Sequence, residues 1–136
     1  MRYLGVDVGA VRTGLALSDP YGISCRPLEI LRERDREALA DSITAVAERE
    51  DAGTIVVGLP RPLSGTRNAQ QTEVEAFVTL LATHAGRPVV TWDERFTSKL
   101  ARGSRPRGQA EDSVAACHLL QGYLDHLSLT GAGEAT

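Results

Sequence analysis

Residues 2–18 read Arg2-Tyr-Leu-Gly-Val-Asp7-Val-Gly9-Ala-Val-Arg12-Thr-Gly14-Leu-Ala-Leu-Ser18. Two short apolar or alternating runs, 2–8 and 14–18, flank the segment Gly9–Gly14 and read as two strands joined by a glycine-bounded turn. Asp19-Pro-Tyr-Gly22 is a further turn signal, and a third run follows from about Arg26 to Leu31. Three consecutive strands with short connections predict an antiparallel meander. Beyond it the period changes. Leu39, Ile43, Val46 and Ala47 recur at helical spacing within residues 35–50, with Asp35 placed to cap the helix. Thr54-Ile-Val-Val-Gly58 is an all-apolar strand, the pattern of a strand covered on both faces. Val74, Phe77, Val78, Leu81 and Ala85 mark a second helix ending at Gly86, and Pro88-Val-Val-Thr-Trp92 a fifth strand. Val114, Cys117, Leu120, Gln121 and Leu124 mark a last helix from about Gln109 to Leu127. The order β-β-β-α-β-α-β-α is an α/β fold: a mixed five-stranded sheet, three antiparallel strands then two parallel, with helices on both faces.

The chain has 136 residues, enough for one domain, expected over residues 1–128 with a fraying Gly/Ala/Thr tail at 129–136. At 42% hydrophobic and 24% charged residues it is neither disordered nor collagenous. Its apolar runs are too short to cross a membrane, and MRYLGVDVGA lacks the apolar core of a signal peptide. A cytoplasmic protein with no membrane partner is expected. Cys25 and Cys117 match no metal-ligand spacing and read as two free thiols. Cys117 falls in the apolar pattern of the last helix, whereas Cys25 flanks a turn, where it could link two copies.

Fifteen basic and 18 acidic residues give a net charge of −3, which alone argues against a nucleic-acid partner. The distribution argues otherwise. Between Arg95 and Ala110 stand Arg95, Lys99, Arg102, Arg105 and Arg107, and no acid. A solvated loop would look the same.

Asp7 interrupts an apolar first strand, where a charge is costly unless it is paired or metal-bound. Asp93 and Glu94 follow the fifth strand at its carboxyl end, where open α/β sheets place ligands. Asp112 opens the last helix, where an acid also complements the helix dipole. Brought together without nearby lysines, these carboxylates need a counter-charge, which hard divalent cations supply. Two such ions about 4 Å apart would clamp an in-line displacement at a phosphodiester.

At these residues the sequence resembles the YqgF/RuvX family of RNase H-like Holliday junction resolvases, also regarded as pre-16S rRNA nucleases. The resemblance covers residues 2–127. Gly5-Val-Asp7-Val-Gly9, with Gly14 following, is similar to the family's first-strand motif. Gly58-Leu-Pro60 with Gly65-Thr66 is similar to its GLP…GT loop, and Asp93-Glu94-Arg95 with Thr97 to its DER-x-T motif. Asp112-Ser-Val-Ala-Ala116 and Leu119-Leu-Gln-Gly-Tyr-Leu124 resemble its terminal segment. The resemblance implies an RNase H-like fold and a nuclease acting with Mg²⁺ or Mn²⁺, two ions in all. Asp7, Glu94 and Asp112 would be its catalytic, metal-binding acids, and Arg95 would contact substrate or orient Glu94. The substrate would be branched DNA, in recombination and repair, or a pre-16S rRNA 5′ end. The stretch from Arg95 to Asp112 is shorter than in relatives and Arg-based, a departure that bears on substrate grip and on any dimer contact.

Arg61 and Arg67, in the loop after the fourth strand, and Arg12, in the first turn, are further phosphate-binding candidates beside Arg95, Lys99, Arg102, Arg105 and Arg107. His84, His118 and His126 lack zinc-like partners, and Trp92 reads as core packing. A two-fold dimer would suit a symmetric junction. Two other classes compete. An actin-like phosphotransferase shares the Asp7-x-Gly9 turn but needs a second domain, for which 136 residues leave no room. A non-catalytic nucleic-acid-binding assembly factor on the same scaffold would have no use for three converging acids.

Overall fold

Strand alternation divides the buried apolar residues of the sheet between two layers. In the computed structural model, which describes residues 1–60, 68–94 and 109–130, with side chains of the last helix from residue 113, the elements run in the expected order. They are β1 (Arg2–Asp7), β2 (Arg12–Ser18), β3 (Cys25–Arg32), α1 (Arg36–Arg49), β4 (Ala52–Leu59), α2 (Ala69–Ala85), β5 (Val89–Asp93) and α3 (Gln109–Thr130). The strands form one sheet in the order β3-β2-β1-β4-β5. β1–β2 and β2–β3 are antiparallel; β1–β4 and β4–β5 are parallel. The mixed sheet expected from the pattern is therefore the one observed.

Leu4, Val6, Ile55, Val57 and Leu59 face α1 and α2 and pack with Leu39, Ile43, Phe77 and Leu81. Ala16 and Val56 face the other way, onto Ala116, Leu119, Leu120 and Leu124 of α3. Burying each of the larger side chains contributes about 1.5–3 kcal/mol, so the sheet is held from both sides. β2 begins two residues earlier than its apolar run, because Arg12 and Thr13 pair with Arg32 and Leu31 of β3. α1 starts after Asp35, whose backbone is extended but whose side chain makes no capping bond. Asn68 does cap α2, accepting a hydrogen bond from the Gln71 amide at 2.9 Å. Of the tail expected from residue 129, Leu129 and Thr130 lie in the last turn of α3. Among the described residues no helix is long and apolar enough to cross a membrane.

α3 lies antiparallel to β1. Tyr123 meets Tyr3 edge-on, with ring centroids 5.9 Å apart, at the start of the strand. Further along, a Cβ on Gly5 would stand 2.8 Å from Leu120 Cβ and 3.1 Å from the Ala116 carbonyl oxygen. The helix therefore presents its N-terminus at the carboxyl end of β1.

Candidate active site

Asp7 is the last residue of β1, opposite Gly14 of β2. Leu4 and Val6 face α1 and α2, so alternation sends Tyr3, Gly5 and Asp7 to the α3 face. Val6 is in register with Val57, which sets Asp7 beside Gly58 of β4. Gly58 is in turn in register with Trp92 of β5, and Glu94 stands two residues beyond it. A Cβ on Gly58 would lie 3.1 Å from Glu94 Cγ and 3.2 Å from its Cδ. The Glu94 side chain thus leans across Gly58 in the direction of β1. Two strand spacings, about 10 Å, and a two-residue step along the strand, about 7 Å, separate the backbones of Asp7 and Glu94. Glycine on the strand between them lets Glu94 and Leu119 close onto the space another side chain would fill. Asp93, paired with Leu59, alternates to the opposite face, so the neighbouring acids are not equivalent.

Asp112 sits in the first turn of α3, four residues before Ala116. Four residues of helix rise about 6 Å, close to the two-residue span from Gly5 to Asp7, about 6.6 Å. The helix thereby brings the backbone of residue 112 to the level of Asp7. Arg12 is exposed at the start of β2, at the same end of the sheet. Arg61, Arg67, Arg95, Lys99, Arg102, Arg105 and Arg107 lie outside the described residues. Their two segments attach where β4 and β5 end, at Leu59 and Asp93.

Among the described residues no three His, Cys, Asp or Glu side chains form a metal-ready group. Asp7 and Glu94 could supply two of the donors, and as carboxylate oxygens they fit by their chemistry the Mg²⁺ or Mn²⁺ that the family resemblance implies. The histidines are engaged elsewhere or apart from the acids. His84 Nδ1 lies 2.8 Å from Asp41 Oδ1, and His126 tilts against Trp92 at 5.2 Å. His118 Nε2 is buried without a hydrogen-bond partner. Trp92 packs edge-on against Tyr123 at 5.8 Å, in the layer under α3.

Two contributors escape the sequence pattern. Gly58 shows in the sequence as a glycine ending an apolar strand and as the start of the GLP segment, neither of which says that Glu94 closes onto it, although an isolated strand glycine does signal close approach of another group. Arg36 gives no signal at all. Its guanidinium donates to the carbonyl oxygens of Gly9 (3.3 Å), Ala10 (3.2 Å) and Glu33 (3.0 Å) and stands 5.6 Å from the Phe77 ring centroid. It thereby ties the turn that follows Asp7 to both helices of the opposite layer. A cavity of about 520 Å³ opens beside it, lined by Val8, Ala10, Val74, Phe77 and Leu80 among others, and contains neither Asp7 nor Glu94.

A family model described as "RuvX: Holliday junction resolvase" matches residues 1–126. A protein of Anaeromyxobacter sp. bearing the name "Putative pre-16S rRNA nuclease" is 42% identical, over 92% of this chain and 97% of its own length. One of the same name from Moorella thermoacetica is 38% identical, over 96% and 99%. Among solved structures, Thermus thermophilus RuvC in complex with Holliday junction substrate aligns with a TM-score of 0.59 at 15% identity, covering 94% of this chain and 96% of that one. The fowlpox virus resolvase in complex with Holliday junction DNA aligns at 0.58 and 11% identity, covering 93% and 99%. Both likenesses are of fold.

Proposed function

The chain belongs to the RuvX family, and from that premise we propose that it is a divalent-metal-dependent nuclease that hydrolyses phosphodiester bonds in structured nucleic acid. The observation that carries the reading is that β1 and β5 bring Asp7 and Glu94 to the same end and face of the sheet, with the Glu94 side chain against Gly58 of the strand between them, where the backbone of Asp112 enters on α3. Such carboxylates repel one another unless cations lie between them.

In the proposed reaction a water oxygen attacks phosphorus in line with the bond to the leaving oxygen. That bond breaks, leaving one phosphate end and one hydroxyl end. Asp7, Glu94 and Asp112 would hold Mg²⁺ or Mn²⁺, two ions in the full site, which when bound supply Lewis acidity at the phosphate. The carboxylates also orient the attacking water by accepting its hydrogen bonds. Gly58, having no side chain, lets the Glu94 side chain lie over the strand between it and Asp7. Arg12, Arg61, Arg67, Arg95, Lys99, Arg102, Arg105 and Arg107 would grip backbone phosphates around the cut, positioning the substrate without reading its sequence.

The relatives' names point to pre-16S rRNA, whereas the family description and the structural neighbours point to four-way DNA junctions. Backbone hydrolysis by carboxylates and arginines is compatible with either. The test compares a synthetic four-way DNA junction, linear duplex, single-stranded RNA and a 16S leader transcript with Mg²⁺ or Mn²⁺, using wild type and Asp7→Asn. Metal-dependent cutting by wild type that is lost in Asp7→Asn is the expected result, and the preferred substrate names the role. Tight binding without cutting, unchanged in Asp7→Asn, overturns the nuclease and leaves a binding module.

A further inference from the structure

We propose that Cys25 and Cys117 are a modification site: an intramolecular dithiol that a hydroperoxide converts to a disulfide, stapling α3 to the edge strand β3. The residues are 92 positions apart in sequence, and their Sγ atoms stand 2.8 Å apart. The Cys25 Sγ is also 3.1 Å from the Cys117 carbonyl oxygen. A disulfide bond is about 2.04 Å long, so closing it needs less than an ångström of movement shared between two side chains.

The contact is built into the seam between helix and sheet. Four residues to either side of Cys117 on α3, two hydrogen bonds fasten the helix. The Ser113 hydroxyl donates to the Leu28 carbonyl at 2.9 Å, and Gln121 Nε2 donates to the Ile23 carbonyl at 2.8 Å. Successive turns of α3 therefore meet Leu28, Cys25 and Ile23 in order, with the thiols in the middle. Both cysteines are half-buried, not sealed in the core. A surface cavity of about 270 Å³, lined by Arg2, Ser18, Asp19 and Arg26 among others, reaches Cys25 and admits a small oxidant.

The two thiols share one contact, which lowers the pKa of Cys117 and, with burial, raises that of Cys25. One of the two sulfurs attacks as thiolate. It takes one peroxide oxygen as the O–O bond breaks, and the other oxygen leaves as alcohol or water. The sulfur of the second cysteine then attacks the sulfenic sulfur. The S–O bond breaks, and the departing hydroxide leaves as water with the second thiol's proton. Two thiols and one hydroperoxide give one disulfide, one alcohol and one water; the protein loses two electrons and the peroxide gains them. A dithiol reductant reverses the change. The bond would fix α3 five residues from Asp112, but the proposal stands independently of the nuclease reading.

The test treats reduced full-length protein with hydrogen peroxide, quenches with an alkylating reagent under denaturing conditions, and reads intact mass and a non-reducing gel. The expected result is loss of both alkylatable thiols, a mass lower by two hydrogens, monomer migration, a crosslinked Cys25–Cys117 peptide and full reversal by dithiothreitol. In Cys25→Ser and in Cys117→Ser alike, the remaining thiol should stop at a sulfenic acid that dimedone traps. Two thiols still alkylatable, a covalent dimer, or oxygen gained without crosslinking would each overturn the staple.

Discussion

Gly58→Ala adds one carbon where the proposed active site has none to spare. The new Cβ would sit 2.8 Å from Leu119 Cδ2, and 3.1 and 3.2 Å from Glu94 Cγ and Cδ. Carbon atoms rest about 3.5–4.0 Å apart, so the overlap is about 0.7 Å or more at Leu119 and about 0.3–0.9 Å at Glu94. Leu119 is 1% exposed and locked between α3 and the sheet. Glu94 follows the end of β5 and is only half-buried, so its carboxyl is the group that yields. A displacement of about 1 Å from the productive geometry can cost ~10²-fold in rate. The overlap that Leu119 must absorb costs about 1–3 kcal/mol, enough to lower the melting temperature by roughly 3–10 °C. Cleavage of the preferred substrate, measured with Mn²⁺ well below both melting temperatures, should therefore fall about ten- to a hundredfold, with a weaker apparent affinity for metal. A variant that melts lower yet cleaves at the wild-type rate with unchanged metal dependence would refute the reasoning, because the position of the Glu94 carboxyl would then not matter.

Leu81→Ala empties a fully buried position in the opposite layer and should cost about 3 kcal/mol in urea unfolding. Its cleavage rate, assayed where it is folded, should match wild type, since neither Asp7 nor Glu94 faces that layer. Gly86→Ala forces a side chain into the left-handed conformation (φ 63°) that ends α2, with no atom within 4 Å to crowd it. The backbone term alone predicts a loss of about 1–2 kcal/mol, and Gly86→Asn should lose less in the same unfolding measurement. The side-chain hydrogen bond from Arg49 holds the Glu29 carboxyl below its ordinary pKa of 4.5. A depressed carboxylate stabilises the fold above its unfolded pKa, and that contribution is lost as pH falls through the folded value. NMR titration should find the Glu29 pKa below 4.5 in wild type and back near 4.5 in Arg49→Gln, whose acid unfolding should depend correspondingly less on pH.

The order of the elements, the two-layer cover of the sheet and the identity of the acids are local matters. Leu39, Ile43, Val46 and Ala47 declare a helix by spacing within four turns. Thr54–Gly58 declares a doubly covered strand by being apolar throughout, and Asp7 stands out because a charge in such a strand is costly. Strand ends are less legible: β2 starts at Arg12 because β3 offers partners there, and no property of Arg12 itself announces it.

Choosing between Asp93 and Glu94 from the residues themselves requires knowing which face each occupies, and that follows only from the register of β5 against β4. Arg36 holds the turn after Asp7 through carbonyl oxygens 26 and 27 residues away, and backbone oxygens leave no mark in a sequence. Cys25 and Cys117, read singly, are a turn residue and a helix residue; they become a pair only when α3 docks antiparallel to β1 and runs its turns along β3. Periodicity and charge cost act over a few residues, so the sequence by itself determined the elements and the residues able to do chemistry. Which of them meet is decided by register and helix docking, and these depend on packing both layers at once.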